Sequence, residues 1–92
     1  MDRLARDPDD DPPTGPAERA RLKAFGLRIR LLRTAHGWSQ QQLGEHAGMD
    51  RTFVGQIERG KRGMNILRLW PLAEALKMPI SDLFTDERGF PI

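Results

Sequence analysis

The sequence of 92 residues contains no cysteine and no long hydrophobic run. Without cysteine the chain can form neither a disulfide nor a cysteine-based metal site, so helix packing or oligomerisation has to stabilise it. No apolar stretch approaches the roughly 18 residues that span a bilayer, and the acidic N-terminus lacks the basic region and apolar core of a signal peptide. We therefore expect a cytoplasmic protein that does not bind a membrane.

Patterns typical of catalysis or metal binding are missing too. His36 and His46 lie in different helical segments of the sequence, without a carboxylate cluster at ligand spacing. The sequence shows neither a Ser-His-acid set nor a glycine-rich phosphate loop. We predict that the protein is not an enzyme, and that it has no metal site and no cofactor.

The stretch from Ser39 to Arg59 predicts two short helices joined by a tight turn. Ser39 and Gln42 have the S-x-x-Q spacing of a capping box, which starts a helix. Gly48 suits the left-handed conformation of the turn, and Asp50 then caps the second helix. This arrangement is typical of a helix-turn-helix, a unit that reads DNA.

The second of these helices has one apolar and one polar face. At 100° per residue, Val54 and Ile57 lie on the core side, and donors and acceptors lie on the other side. Glutamine pairs with adenine, arginine with guanine or phosphate, and threonine offers a methyl and a hydroxyl group, so these residue types suit the major groove. Any exposed helix face is polar, however, so this face alone does not identify a DNA reader. The predicted base contacts are Arg51, Thr52, Gln56 and the closely approaching backbone of Gly55.

The sequence resembles the Xre/Cro/phage-repressor family of helix-turn-helix DNA-binding proteins over about residues 25–84. The resemblance rests on the ordered segments FGLRIRLLR, GWSQQQLGEHAGMDRTFVGQIERGKR, NILRLWPLAEAL and ISDLF. It implies an all-α, five-helix, lambda-repressor-like domain with a central helix-turn-helix, similar to the small restriction-modification controller proteins. It also implies a transcriptional regulator that binds double-stranded DNA sequence-specifically, as a homodimer on a roughly palindromic operator.

The resemblance assigns roles to further residues. It pairs Arg33, at the end of the first helix, with Glu58, at the end of the recognition helix, as a structural ion pair. It places Gln40, at the amino end of the second helix, against the DNA backbone, where exposed amides also favour an anion. The loop that follows Gly60 is basic and suits phosphate as well. The predicted phosphate contacts are Gln40, Gln41, Arg59, Lys61 and Arg62.

Charge is distributed unevenly along the chain, whose formal net charge is +2. Lys and Arg against Asp and Glu number 2 against 6 in residues 1–18, 10 against 3 in residues 19–63, and 3 against 4 in residues 64–92. The middle segment therefore carries +7, and it contains the predicted DNA-reading helices. This coincidence favours a nucleic-acid partner.

The composition, with 38% hydrophobic residues, allows one small domain between two terminal segments. Residues 1–16 contain five Asp and four Pro, and we predict that they form a disordered acidic arm. The alternative is an arm that competes for the basic DNA face or binds a partner. Residues 17–84 form the helix-turn-helix domain, and residues 85–92 form a C-terminal tail.

Helical periodicity and end signals predict the outer helices. The first helix should run from Pro16 or Ala17 to about Ala35. The fourth should run from about Asn65 to Lys77, and a short last helix should follow. The fourth helix is expected to bury Ile66, Leu69, Leu72, Ala73 and Leu76.

Two apolar surfaces have no evident partner inside so small a domain. On the fourth helix, Leu67 and Trp70 point away from the core, and Pro71 predicts a bend there. On the first helix, Leu27 and Leu31 lie opposite the core stripe. Both surfaces are candidate dimer interfaces. The first-helix surface and the acidic arm are also candidate sites for a protein partner, if the chain is instead an antitoxin-like or adaptor module.

Overall fold

The computed structural model describes residues 15–86 and 88–92, and this part of the chain is all-helical. Most of the predicted acidic arm, residues 1–14, lies outside the described residues. The helices are α1 (Pro16–Ala35), α2 (Gln40–Ala47), α3 (Arg51–Glu58), α4 (Ile66–Leu76) and a 3-10 helix (Ile80–Phe84). The all-α prediction is confirmed, and the short last helix that the sequence predicts is a 3-10 helix. No helix in the described residues is long and apolar enough to cross a bilayer.

Local hydrogen bonds define the helix-turn-helix as the sequence predicts. The Ser39 hydroxyl accepts from the Gln42 backbone N–H at 3.1 Å, and the Gln42 side chain accepts from the Ser39 N–H at 2.8 Å. Gly48 ends α2 with φ at 73°. The Asp50 carboxylate accepts from the Phe53 N–H at 3.0 Å and starts α3. The capping box, the left-handed turn and the second cap are therefore confirmed.

One hydrophobic core joins all five helices. Its buried members are Phe25, Ile29, Leu43, Ala47, Phe53, Val54, Ile57, Leu69, Leu72, Ala73, Leu76 and Leu83. The prediction for Ile66 is wrong, because its side chain is 60% exposed. Residues 65–68 are all exposed, so α4 enters the core only from its second turn. Asn65 caps α4, as expected, and the helix continues through Pro71 to Leu76.

Close backbone contacts fix how the helices cross. A Cβ atom on Gly26 of α1 would overlap the Ile57 carbonyl oxygen of α3, and one on Gly60 would lie 2.9 Å from the Lys23 Cα. Within the helix-turn-helix, a Cβ on Gly44 would overlap the carbonyl oxygen of Met49. Glycine at these positions therefore sets the distance of α3 from its neighbours.

The C-terminal tail folds back on the 3-10 helix. Thr85 and Pro91 form an isolated antiparallel bridge, and the Ile92 N–H donates to the Phe84 carbonyl at 2.9 Å. Arg88 donates hydrogen bonds to the Asp86 carboxylate, and the Phe90 N–H donates another. These bonds, with that from the Arg88 side chain the strongest, lower the pKa of Asp86. The end of the chain lies beside the middle of α1, where Ile92 lines one cavity with Phe25 and another with Leu27.

Candidate nucleic-acid interface

The polar face of α3 is open to solvent at its amino end. Arg51 and Thr52 are exposed, and Gln56 is half-buried. Gly55 is buried, because a Cβ atom there would lie 3.1 Å from Arg59 Nη1 and 3.4 Å from Gln40 Oε1. The missing side chain of Gly55 thus lets Gln40 and Arg59 converge on the recognition helix.

Glu58 connects the first three helices through one carboxylate. Arg33 of α1 donates from Nε to Oε2 at 2.6 Å and from Nη2 to Oε1 at 3.0 Å. Gln40 of α2 donates from Nε2 to the same Oε1 at 3.1 Å. Arg33 also donates to the Trp38 carbonyl at 2.7 Å, and the hydrogen bond with Glu58 raises the pKa of Arg33. Sequence reasoning paired Arg33 with Glu58 but missed the bond from Gln40.

A second set of contacts ties the loop after α3 to the recognition face. Arg62 Nη1 donates to Gln56 Oε1 at 3.2 Å. The guanidinium carbons of Arg62 and Arg68 lie 4.6 and 4.5 Å from the centroid of the Phe53 ring. Such cation–π contacts hold guanidinium groups on aromatic rings. The structure therefore gives Arg62, for which we predicted a phosphate contact, a direct link to a predicted base-reading side chain.

The remaining candidate phosphate contacts surround this face. Gln41, Arg59 and Lys61 are exposed, whereas Gln40 is half-buried and directed by Glu58. Arg59 and Lys61 also line a basic cleft of about 310 Å³ against α1. The sequence did not predict a role for the two α1 residues of that cleft, Arg19 and Lys23. The only signal for them is their spacing of four, which places them on one face of the helix.

The two histidines stack on Trp38 between α1 and α2. Ring centroids are 4.5 Å apart for His36 and Trp38, and 4.1 Å apart for Trp38 and His46. His36 Nε2 also lies 3.1 Å from the Leu76 carbonyl oxygen. Across residues 15–86 and 88–92, no group of three or more His, Cys, Asp or Glu residues could hold a metal ion.

Comparison with known proteins identifies this arrangement of helices. The helix-turn-helix family HTH_3 matches residues 29–83, which span α2, α3, α4 and most of the core. The chain belongs to this Xre/Cro/C1-type helix-turn-helix family. The lambda-repressor-like fold expected from the sequence is therefore confirmed.

Several relatives are transcriptional regulators or controller proteins by name. An uncharacterised HTH-type transcriptional regulator from Sinorhizobium medicae is 38% identical over 64 residues, which cover 70% of this chain and 46% of that protein. This chain thus spans about half the length of that relative. The crystal structure of the restriction-modification controller protein C.AhdI from Aeromonas hydrophila is 45% identical, with a TM-score of 0.69, over 71% of this chain and 98% of C.AhdI.

The structural relatives include a protein solved on DNA. The P22 c2 repressor, in complex with a synthetic operator, is 30% identical, with a TM-score of 0.61. The match covers 64% of this chain and 89% of the repressor. The helix-turn-helix domain described above is accordingly the kind of domain found in transcriptional regulators.

Proposed function

We propose that this protein is a sequence-specific transcriptional regulator that binds double-stranded DNA as a homodimer on a roughly palindromic operator. The single observation that carries the proposal is the polar face of α3, whose exposed Arg51 and Thr52 and half-buried Gln56 stand on a rigid helix. The P22 c2 repressor, which shares the fold, was solved in complex with a synthetic operator. A short helix with such a face suits the major groove.

Base reading is assigned to the side chains on this face. Arg51 and Gln56 can each form paired hydrogen bonds with a base edge, and Thr52 offers both a hydroxyl and a methyl group. Gln56 Oε1 already accepts from Arg62, but an amide oxygen has a second lone pair, and Nε2 keeps its donors. Gly55 allows the backbone to approach closely. In this proposal Arg62 limits the rotation of the Gln56 amide before DNA binds.

Phosphate contacts position this face without reading sequence. Gln40 lies at the amino end of α2, where unpaired backbone N–H groups and the helix dipole favour an anion. Its bond to Glu58 directs the amide, and Gln41 stands beside it. Arg59, Lys61 and Arg62 supply positive charge just beyond the carboxyl end of α3. Phosphates bound at the amino end of α2 and in the loop after α3 would fix the height of α3 in the groove.

The proposed dimer forms through the exposed apolar surface of α4. Leu67 and Trp70 are 74% and 49% exposed, and Ile66 extends the same surface. A tryptophan beside aliphatic side chains is the composition of an interface centre. In a two-fold dimer the recognition helices would enter successive major grooves, about 34 Å apart.

Selection of bound sequences from a pool of random duplexes tests the proposal in one experiment. The expected product is a defined sequence with two inverted half-sites whose centres are about one helical turn, roughly 10 bp, apart. If the recovered duplexes still have random sequences after several rounds, sequence-specific binding is refuted. A single half-site without its inverted repeat would refute the symmetric homodimer.

The second candidate is an antitoxin-like or adaptor module whose main partner is another protein. The observation that favours it is the apolar surface of α1, where Leu27 and Leu31 are 54% and 45% exposed. Light scattering with and without the selected duplex separates the two functions. A dimer that forms a discrete DNA complex supports the regulator, and a monomer without preference for any duplex supports the adaptor.

A further inference from the structure

The first turns of α1 form a cleft with the end of the recognition helix. The family match begins at residue 29, so this part of α1 lies outside it. Gly60 makes the contact close: its φ is 71°, and a Cβ atom there would lie 2.9 Å from the Lys23 Cα and 3.0 Å from the Lys23 nitrogen. The backbone of α1 therefore runs directly past the carboxyl end of α3.

Four basic side chains converge where the two segments meet. The cleft has a volume of about 310 Å³ and is lined by Arg19, Ala20, Lys23, Arg59, Gly60 and Lys61. The lining includes no acidic residue, and none of the four cations has an ion pair with a carboxylate among residues 15–86 and 88–92. Like charges that line one cleft repel one another, and an anion in the cleft would relieve the repulsion.

We propose that this cleft binds the phosphodiester backbone of DNA, as an anchor that α1 adds to the helix-turn-helix. The inference rests on the proposed function, because it gives the cleft the same ligand as α3. Arg59 and Lys61 flank the end of the recognition helix, so a duplex seated on α3 has backbone beside them. Arg19 and Lys23 extend that positive surface along α1, where mobile cationic side chains bind phosphate but cannot discriminate bases.

A charge-matched comparison of two double variants tests the cleft. In Arg19→Gln with Lys23→Gln, both α1 cations of the cleft are removed. In the control, Arg21→Gln with Lys77→Gln, the same charge is removed at exposed positions outside the cleft. Glutamine is a good helix former, so melting followed by circular dichroism should show that both variants fold. Binding to a random duplex of roughly three helical turns, about 30 bp, is then measured over a range of salt concentrations.

In the cleft variant we expect log K to depend less steeply on log salt, with a slope smaller in magnitude by about two. In the control the slope should stay near the wild-type value. Equal slopes in the two variants would overturn the inference. If the wild type still selects a defined operator in that case, the proposed function survives. If instead the salt dependence becomes less steep in the cleft variant but the wild type selects no sequence, the proposed function is refuted and the assignment of the cleft to the DNA backbone is retained.

Inorganic tripolyphosphate distinguishes DNA from a free anion as the source of phosphate. The Gly60 amide signal in an NMR spectrum reports occupancy of the cleft in the wild-type protein. We expect a duplex to shift this signal at a far lower phosphate concentration than tripolyphosphate does. A tripolyphosphate response that depends on Arg19 and Lys23, together with unchanged DNA slopes, would show that the cleft takes a free anion and would overturn its assignment to DNA.

Discussion

Arg33 and Glu58 form a two-pronged ion pair between the end of α1 and the end of the recognition helix, with N–O distances of 2.6 and 3.0 Å. The Glu58 side chain is only 3% exposed, so its charge depends on partners inside the protein. Gln40 donates to the same carboxylate. The pair therefore orients the recognition helix and the amino end of α2 together.

Removal of Arg33 alone should destabilise the protein severely. In Arg33→Ala the buried Glu58 loses its counterion, and the expected loss is about 3–5 kcal/mol in the free energy of unfolding. Replacement of both partners, Arg33→Met with Glu58→Leu, should cost less than Arg33→Ala, because no buried charge is left unpaired. Urea denaturation measures both losses. Arg30→Ala, at an exposed position of the same helix, is the control, and an equal loss there would contradict the role of the pair.

Substitutions of Gln56 and of Lys61 should change DNA binding in different ways. Gln56→Ala is expected to weaken binding to the selected operator by about 1–3 kcal/mol and to relax one position of the site. Lys61→Ala should weaken binding to all sequences alike and lower the salt slope by about one. Fluorescence anisotropy titrations with operator and random duplexes measure both effects. Equal losses on the two duplexes for Gln56→Ala would disprove the base contact.

Arg62 should influence sequence preference through Gln56. Arg62→Lys keeps the charge but loses the planar group that lies over Phe53 and donates to Gln56 Oε1. We expect this variant to lose discrimination at the same operator position as Gln56→Ala. The double variant should lose little more than Gln56→Ala alone, because the two residues act as one unit. Additive losses in this cycle would show that Arg62 contacts only phosphate.

Gly44 should tolerate no side chain. Gly44→Ala places a methyl group against the Met49 carbonyl oxygen, inside the turn that sets α3 relative to α2. The strain should cost on the order of 1–3 kcal/mol, as overpacking in a core does. Gly63→Ala meets nothing closer than 3.9 Å and should stay within about 0.5 kcal/mol of wild type. Thermal denaturation compares the two, and similar melting temperatures would refute the steric argument.

The two exposed apolar surfaces can be told apart by sedimentation. If α4 forms the dimer, Leu67→Ser with Trp70→Ala should shift the protein toward monomer and raise its dissociation constant at least tenfold, because the interface centre is lost. Leu27→Ser with Leu31→Ser should leave the association unchanged. Sedimentation velocity over a dilution series measures the constant. The reverse result would move the interface to α1.

Local signals in the sequence predicted much of the fold, because the residues that carry them act on their immediate neighbours. Ser39, Gln42 and Asp50 bond backbone groups three residues away, so spacing alone identified their helix starts. Ile66 shows where periodicity stops being informative. Its register matches that of Leu69, but no core lies beneath the first turn of α4.

Contacts between distant segments were beyond the reach of sequence reasoning. Phe53 is buried within the core, and two arginines that follow it by nine and fifteen positions lie over its ring. The basic cleft likewise needs the α1 crossing at Gly60, which no local pattern encodes. For the candidate site, the residue types on α3 were readable, whereas the bonds that orient them depend on tertiary packing.

If α3 reads bases as proposed, its eight residues limit how much DNA sequence one copy of the protein can distinguish. At about 1.5 Å per residue the helix is only about 12 Å long, and it therefore spans roughly four base-pair steps of about 3.4 Å each. A sequence of four base pairs recurs by chance about once in 256 positions, and one of eight base pairs about once in 65,000. A genome offers roughly 10⁶ or more competing sites. In the proposed homodimer, hydrogen bonds from two such helices would therefore not specify a unique genomic site by themselves. For the proposed dimer, the ease with which the intervening duplex deforms would add discrimination at bases that the protein does not touch.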